Sequence, residues 1–329
     1  MGIWNRITGR RAPARVWESR CQEMISTEVF RSAIYETNGL PRMNWEQARN
    51  IITQHLQPHL NAGGLSHAVR WWLELMAAAA GPQYRVFEDS DFFILLSGDV
   101  GRARRILEAV QPAWRLIGKL MERDATSDSR DSTLPKQAII IFDDPERYYD
   151  YICEFYPDQH QVFGTSSGVY ISDGYPHIVL NAPGNVVSLQ TLVHELTHSA
   201  VDSLPLPRWL NEGMAQKMED LVRPAHHPFL LTPREVRLQQ RYWAWFGIQR
   251  FWNGSSFNLK GGQRPSYQLS EVMARSLIVG RGRNGLFKLF LLYAHRRDAG
   301  EEAARKFLGC GVGDLVAEFL GPGDWYPGA

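Results

Sequence analysis

Residues 189–215 read Leu-Gln-Thr-Leu-Val-His-Glu-Leu-Thr-His-Ser-Ala-Val-Asp-Ser-Leu-Pro-Leu-Pro-Arg-Trp-Leu-Asn-Glu-Gly-Met-Ala. Leu189, Leu192, Val193 and Leu196 recur at helical spacing, so the first part is an amphipathic helix. Residues four apart share one helix face, about 6 Å between their Cβ atoms, so His194 and His198 can reach one metal ion. Glu195 is rotated about 100° from His194, which lets it touch a water at the metal without ligating it and makes it a candidate general base. A catalytic zinc site needs a third protein ligand and one open position. Fourteen residues after His198 stands Glu212, on a second stretch with helical spacing (Leu210, Met214, Met218, Leu221), opened by Pro207 and joined to the first by the reversal Asp202-Ser203-Leu204-Pro205. The second helix is expected to fold back on the first and aim Glu212 at the ion. Two neutral imidazoles and one carboxylate leave a divalent ion a formal charge of +1, enough to bring the pKa of bound water towards about 7.

Together, His194-Glu195-Leu196-Thr197-His198 and Trp209-Leu210-Asn211-Glu212-Gly213 resemble the gluzincin clan of zinc metallopeptidases, whose second helix carries its ligand glutamate in a Trp-Leu-x-Glu-Gly context. The short spacing is most similar to the bacterial peptidase MA-like group. The resemblance covers Tyr84 to Gly321 and implies a zincin-like fold, with Zn2+ held by His194, His198 and Glu212 and Glu195 acting as base on a peptide or protein substrate. It also implies a hydrogen-bond donor to the oxyanion from a downstream helix. Tyr267 is the best match; such a donor contributes about 3 kcal/mol, and the alternative is a core tyrosine. The sequence departs from thermolysin-like enzymes at Gln216, where an aspartate would orient the first histidine, so support for His194 must come from Asp220 or a backbone carbonyl. In zinc peptidases of this type an edge strand also pairs with extended substrate; His177 to Leu180 lies shortly before the metal helix, although the sequence does not identify the edge.

The whole chain has 329 residues and 37.6 kDa. Its 44% apolar and 22% charged residues are those of an ordinary globular protein, which excludes disordered, collagen-like and coiled-coil classes. With 36 basic and 35 acidic side chains the formal charge is +1, so no global field draws it to nucleic acid or an anionic membrane. Cys21, Cys153 and Cys310 are sparse and unpaired in spacing, as in a reducing compartment. Five arginines crowd the first twenty residues, but Arg10-Arg11 precedes Ala-Pro-Ala-Arg rather than an apolar stretch, so the segment reads as a solvated arm. The longest apolar run, Trp71 to Gly81, is too short to span a bilayer. The expected address is cytoplasmic.

Apolar periodicity divides the chain into three parts. Residues 1–80 read as short helices, with Val29, Ile34 and Tyr35 followed by a break at Gly39-Leu40-Pro41. Residues 81–183 are mixed: a hairpin from Tyr84 to Glu88 and Phe92 to Leu96, a helix from about Val100 to Glu122, the polar loop Asp124 to Thr133, a buried strand from Ala138 to Phe142, a helix opened by Asp144-Pro145-Glu146, and strands Gly168 to Ile171 and His177 to Leu180. Residues 184–329 are mainly helical. This order predicts an α+β fold with a small sheet rather than a βαβ repeat.

Weaker signals have ordinary readings. Gly280 to Gly285 fits Gly-x-Gly-x-x-Gly but follows a helix, not the strand that dinucleotide binding requires. His55 and His59 are separated by Pro58, and His226-His227 sits among prolines. The aromatic run Tyr242 to Phe246, with Phe251 and Trp252, reads mainly as packing. Zinc-dependent peptide hydrolysis is the expected function. Its rivals are a catalytically silent peptidase-like protein that binds zinc and a peptide or protein partner, and a purely structural zinc site, for which no nearby cysteine is present.

Overall fold

A computed structural model describes residues 25–120, 136–156, 167–223, 231–281 and 285–328. Cys21 and the arginine-rich arm, the loop Asp124 to Thr133, His226-His227 and residues 282–284 of the glycine pattern lie outside the described residues. The fold is mixed α+β, and the chain divides into two compact units, Met1–Ala109 with Ala125–Ser188, and Val110–Asp124 with Leu189–Ala329.

The first unit opens with a 3-10 turn, Thr27–Ala33, and a two-stranded hairpin of β1 (Ile34–Thr37) and β2 (Leu40–Met43). Helical spacing around Ile34 and Tyr35 is therefore overridden. The local cause is Asn38-Gly39, whose φ angles of 53° and 71° are those of a tight hairpin turn that only Gly and Asn adopt readily. Helices α1 (Trp45–His55) and α2 (Asn61–Ala80) follow, α1 capped by the Asn44 side chain accepting from Gln47 N at 3.0 Å. His55 ends α1 with Nδ1 on Ile51 O, and Pro58 starts a separate 3-10 turn.

Five strands, β3 (Tyr84–Glu88), β4 (Phe92–Ser97), β5 (Gln137–Phe142), β6 (Gly168–Ile171) and β7 (His177–Asn181), form one sheet in the order β3-β4-β5-β7-β6. β3 and β4 make the expected antiparallel hairpin, yet β4 pairs with β5, and β5 with β7, in parallel. Parallel neighbours need crossover connections, and helices α3 (Val100–Leu120) and α4 (Pro145–Cys153) lie in them. Parallel strands covered on both faces read as continuous apolar runs, and Phe92 to Leu96 and Ala138 to Phe142 are buried throughout. The edges are β3 and β6, so β7 is internal and has no free edge for an added strand.

β7 carries a buried histidine. His177 Nδ1 lies 2.7 Å from the Tyr175 carbonyl, which can only accept, so Nδ1 bears the proton and Nε2 accepts from the Tyr151 hydroxyl at 2.8 Å. Trp72 meets the ring edge-on, and the Arg42 guanidinium sits 3.5 Å above the Tyr151 ring. Burial, aided by the Arg42 charge and opposed by the Tyr175 bond, lowers the His177 pKa to about 4.

The second unit is helical and packs around Trp209, Trp243, Phe251, Phe257, Met273 and Phe290. Its elements are α5 (Leu189–Val201), α6 (Arg208–Glu219), α7 (Pro233–Phe246), α8 (Gln263–Arg275), α9 (Leu286–Tyr293), α10 (Glu301–Leu308) and α11 (Val312–Leu320), with a π-helical turn Ser276–Arg281 after α8. Trp243, Phe251 and Trp252 are buried, whereas Trp245 and Phe246 are exposed. Among the described residues no helix is long and apolar enough to cross a membrane.

His177 makes stability depend on pH in a defined direction. Its folded form is neutral, while the unfolded chain takes up a proton below about 6.5. The contribution is intact above that value and is lost as pH falls towards about 4. Acidification from pH 7.5 to 4.5 should cost about 2–3 kcal/mol through this group. Urea unfolding at the two pH values should show a smaller acid loss in His177→Gln than in the parent chain.

Candidate metal centre

The second unit brings His194, His198 and Glu212 together so that the three could hold one metal ion, their ligand atoms all within 4.8 Å of one another. Helix α5 presents both imidazoles because Leu192, Val193, Leu196 and Ala200 bury its opposite side. After Val201 the chain reverses, with Leu204 N on Val201 O at 2.9 Å, and α6 returns against α5. Leu210, Met214 and Met218 are buried as their spacing requires, but α6 ends at Glu219 and Leu221 is exposed.

The seat of α6 depends on Gly213. A Cβ there would stand 2.3 Å from the Ser270 carbonyl oxygen and 2.9 Å from the Ala274 Cβ, so α6 and α8 approach backbone to backbone only because position 213 has no side chain. Trp209, fully buried, fixes the start of α6 through Nε1 to Ala299 O at 2.9 Å.

Both imidazoles are oriented by α6. His198 Nδ1 lies 2.8 Å from Asn211 Oδ1, and His194 Nδ1 lies 2.9 Å from Glu219 Oε1, whose other oxygen takes Arg223 Nη2 at 3.0 Å. Each partner is an acceptor, so each Nδ1 carries a proton and each ring turns its Nε2 inward. Those Nε2 atoms stand 3.5 Å (His194) and 3.6 Å (His198) from Glu212 Oε2. A tetrahedral ion with ligands at about 2.0–2.1 Å spaces them about 3.4 Å apart, so the distances fit. Glu212 Oε2 is also buried without a hydrogen-bond partner, while Oε1 lies 3.5 Å from Arg208 Nε. A buried carboxylate oxygen with no donor is costly in the protein alone, and a cation between it and the two imidazoles removes that cost.

The electrostatics favour a cation at this point. Burial disfavours charge on His194, but the neighbouring Glu212 and Glu219 carboxylates outweigh it and hold its pKa well above the usual imidazole range. Burial likewise works against the Glu212 carboxylate, and the imidazoles with Arg208 more than offset it, keeping that carboxyl below the ordinary carboxylate range.

Glu195 is buried on α5, and its charge acts on both His194 and Tyr267. Tyr267 lies on α8, edge-on to Phe257 at 5.4 Å; burial raises its pKa to about 12, with Glu212 adding to the rise and Arg208 opposing it. The support expected from Asp220 for His194 comes instead from Glu219. Asp220 is taken by Lys217 at 2.7 Å and Arg275 at 2.8 Å. Glu219 lies seven residues after Glu212, two helical turns along the same face, a spacing that could have identified it. Asn211 and Arg208 carried no comparable signal.

Gly213→Ala should destabilise the chain by about 1–3 kcal/mol, as overpacking does, read from the shift of the urea midpoint. Glu219→Ala should weaken metal binding by about 10–100-fold, measured by competition with a chromogenic chelator, since the partner that fixes the His194 tautomer is removed. No protein-family model matches the chain, and no curated protein matches it.

Proposed function

We propose that the chain is a zinc-dependent peptide-bond hydrolase of zincin-like fold, resembling the gluzincin metallopeptidases of the peptidase MA-like group. The observation that carries this reading is the unpartnered Glu212 Oε2, buried opposite two inward-turned imidazole nitrogens. Two nitrogens and one oxygen suit zinc among the common divalent ions. Among the described residues no fourth histidine, cysteine or carboxylate joins the group, which supports a site with an open position over a structural one.

His194, His198 and Glu212 hold the ion. When bound, zinc acidifies water and polarises an acyl carbonyl. Glu195 takes a proton from the attacking water and delivers it to the leaving amine as the C–N bond breaks. The Tyr267 hydroxyl, its proton retained at neutral pH by its raised pKa, donates a hydrogen bond to the oxyanion of the tetrahedral intermediate.

Elemental analysis of the purified chain should find about one zinc per chain. Glu195→Gln should keep that zinc and cut cleavage of a fluorogenic peptide mixture by about 10²–10⁴-fold. A chelator should abolish cleavage by the parent chain, and added zinc should restore it. A chain that takes up no zinc, or full turnover in Glu195→Gln, overturns the reading. Zinc uptake without cleavage of any peptide identifies the silent peptide-binding alternative.

A further inference from the structure

Arg208 stands four residues before Glu212 on α6, one turn along the same face. Its Nε faces Glu212 Oε1 at 3.5 Å, its Nη1 donates to Asn258 Oδ1 at 2.9 Å, and its guanidinium carbon lies 4.9 Å from the centre of the Phe257 ring. Gly254 admits the aliphatic stem: a Cβ there would be 3.3 Å from the Arg208 Cβ and Cδ. The side chain is thus pinned on three sides although it is partly exposed. The same Phe257 ring packs edge-on to Tyr267 at 5.4 Å.

Donor and acceptor arithmetic gives this arrangement a consequence. A guanidinium has five N–H donors and no acceptor. Towards Glu212, Arg208 occupies Oε1 and leaves Oε2 as the oxygen that faces the two imidazoles. We infer that Arg208 is a positioning residue that makes Glu212 a one-oxygen ligand. This inference rests on the metal site proposed above. A lysine cannot replace it, because a single ammonium has no planar fork with which to span Glu212 and Asn258 at once.

The test uses zinc alone and cobalt(II) as probes on the full chain. Arg208→Met and Arg208→Lys should both bind zinc about 10–100-fold more weakly than the parent in chelator competition, with no rescue by lysine. In the cobalt-loaded protein, Arg208→Met should lose visible absorption intensity, because the freed carboxylate turns both oxygens to the ion and raises the coordination number above four. If the parent binds zinc while Arg208→Met binds it equally tightly with an unchanged cobalt spectrum, the Arg208 proposal fails and the metal site stands. If the parent binds no zinc, both fail. Should Arg208→Met not fold, as judged by circular dichroism, Asn258→Ala removes one anchor of the guanidinium. It should weaken zinc binding in the same direction, and an unchanged affinity there overturns the proposal.

Discussion

The missing side chain at position 213 is the constraint on which the site depends. Helix α6 lies close enough to α8 that a single methyl group would enter the Ser270 carbonyl. This contact sets how far α6 can slide or roll, and α6 carries nearly everything that α5 does not. Within twelve residues it supplies the carboxylate Glu212, the Asn211 and Glu219 acceptors that orient both histidines, and Arg208. A small rotation of α6 would disturb four contacts together. The site is therefore best described as one interface between two helices, each bringing groups that are incomplete alone.

Charge explains why that interface is suited to a cation at its centre. Glu195, Glu212 and Glu219 surround two imidazoles whose outer nitrogens are already committed as donors. A proton on His194 meets part of the demand, and its raised pKa expresses this. It leaves Glu212 Oε2 without a short hydrogen bond, since the nearest nitrogens are 3.5 Å and 3.6 Å away, beyond the usual range for such a bond. A divalent ion at about 2 Å from all three atoms matches those separations where a proton does not. The network behind Glu219, through Arg223 and Asp220 to Arg275 and Glu271, balances charge so that the site does not accumulate it.

The sequence was informative where one helical period decides the geometry. Four residues on a helix place His194 beside His198, and a short polar reversal brings the next helix back with Glu212. The structure has all three together. The strands also followed from composition, because β4 and β5 are runs that only burial on both faces accommodates. What was not legible depends on contacts between elements distant in the chain. The parallel pairing of β4 with β5 and of β5 with β7 is a matter of sheet order, which local periodicity does not carry. The hairpin at Asn38-Gly39 was hidden because Ile34 and Tyr35 fit a helical spacing, and the turn chemistry that overrode it occupies two residues. Arg208 was invisible because its role needs Asn258 and Phe257, some fifty residues away, to hold the guanidinium in place.

The partition between the two sides of Glu212 decides how the centre would work. If both carboxylate oxygens were free to turn inward, the ion would gain a ligand and lose the open position that water must occupy. Arg208 on Oε1 prevents that without contributing a ligand of its own. A salt bridge at 3.5 Å in a partly exposed position adds little to stability by itself. Its worth lies in geometry, since the guanidinium, held by Asn258 and Phe257, engages one oxygen of Glu212 and leaves the other to face the two imidazoles.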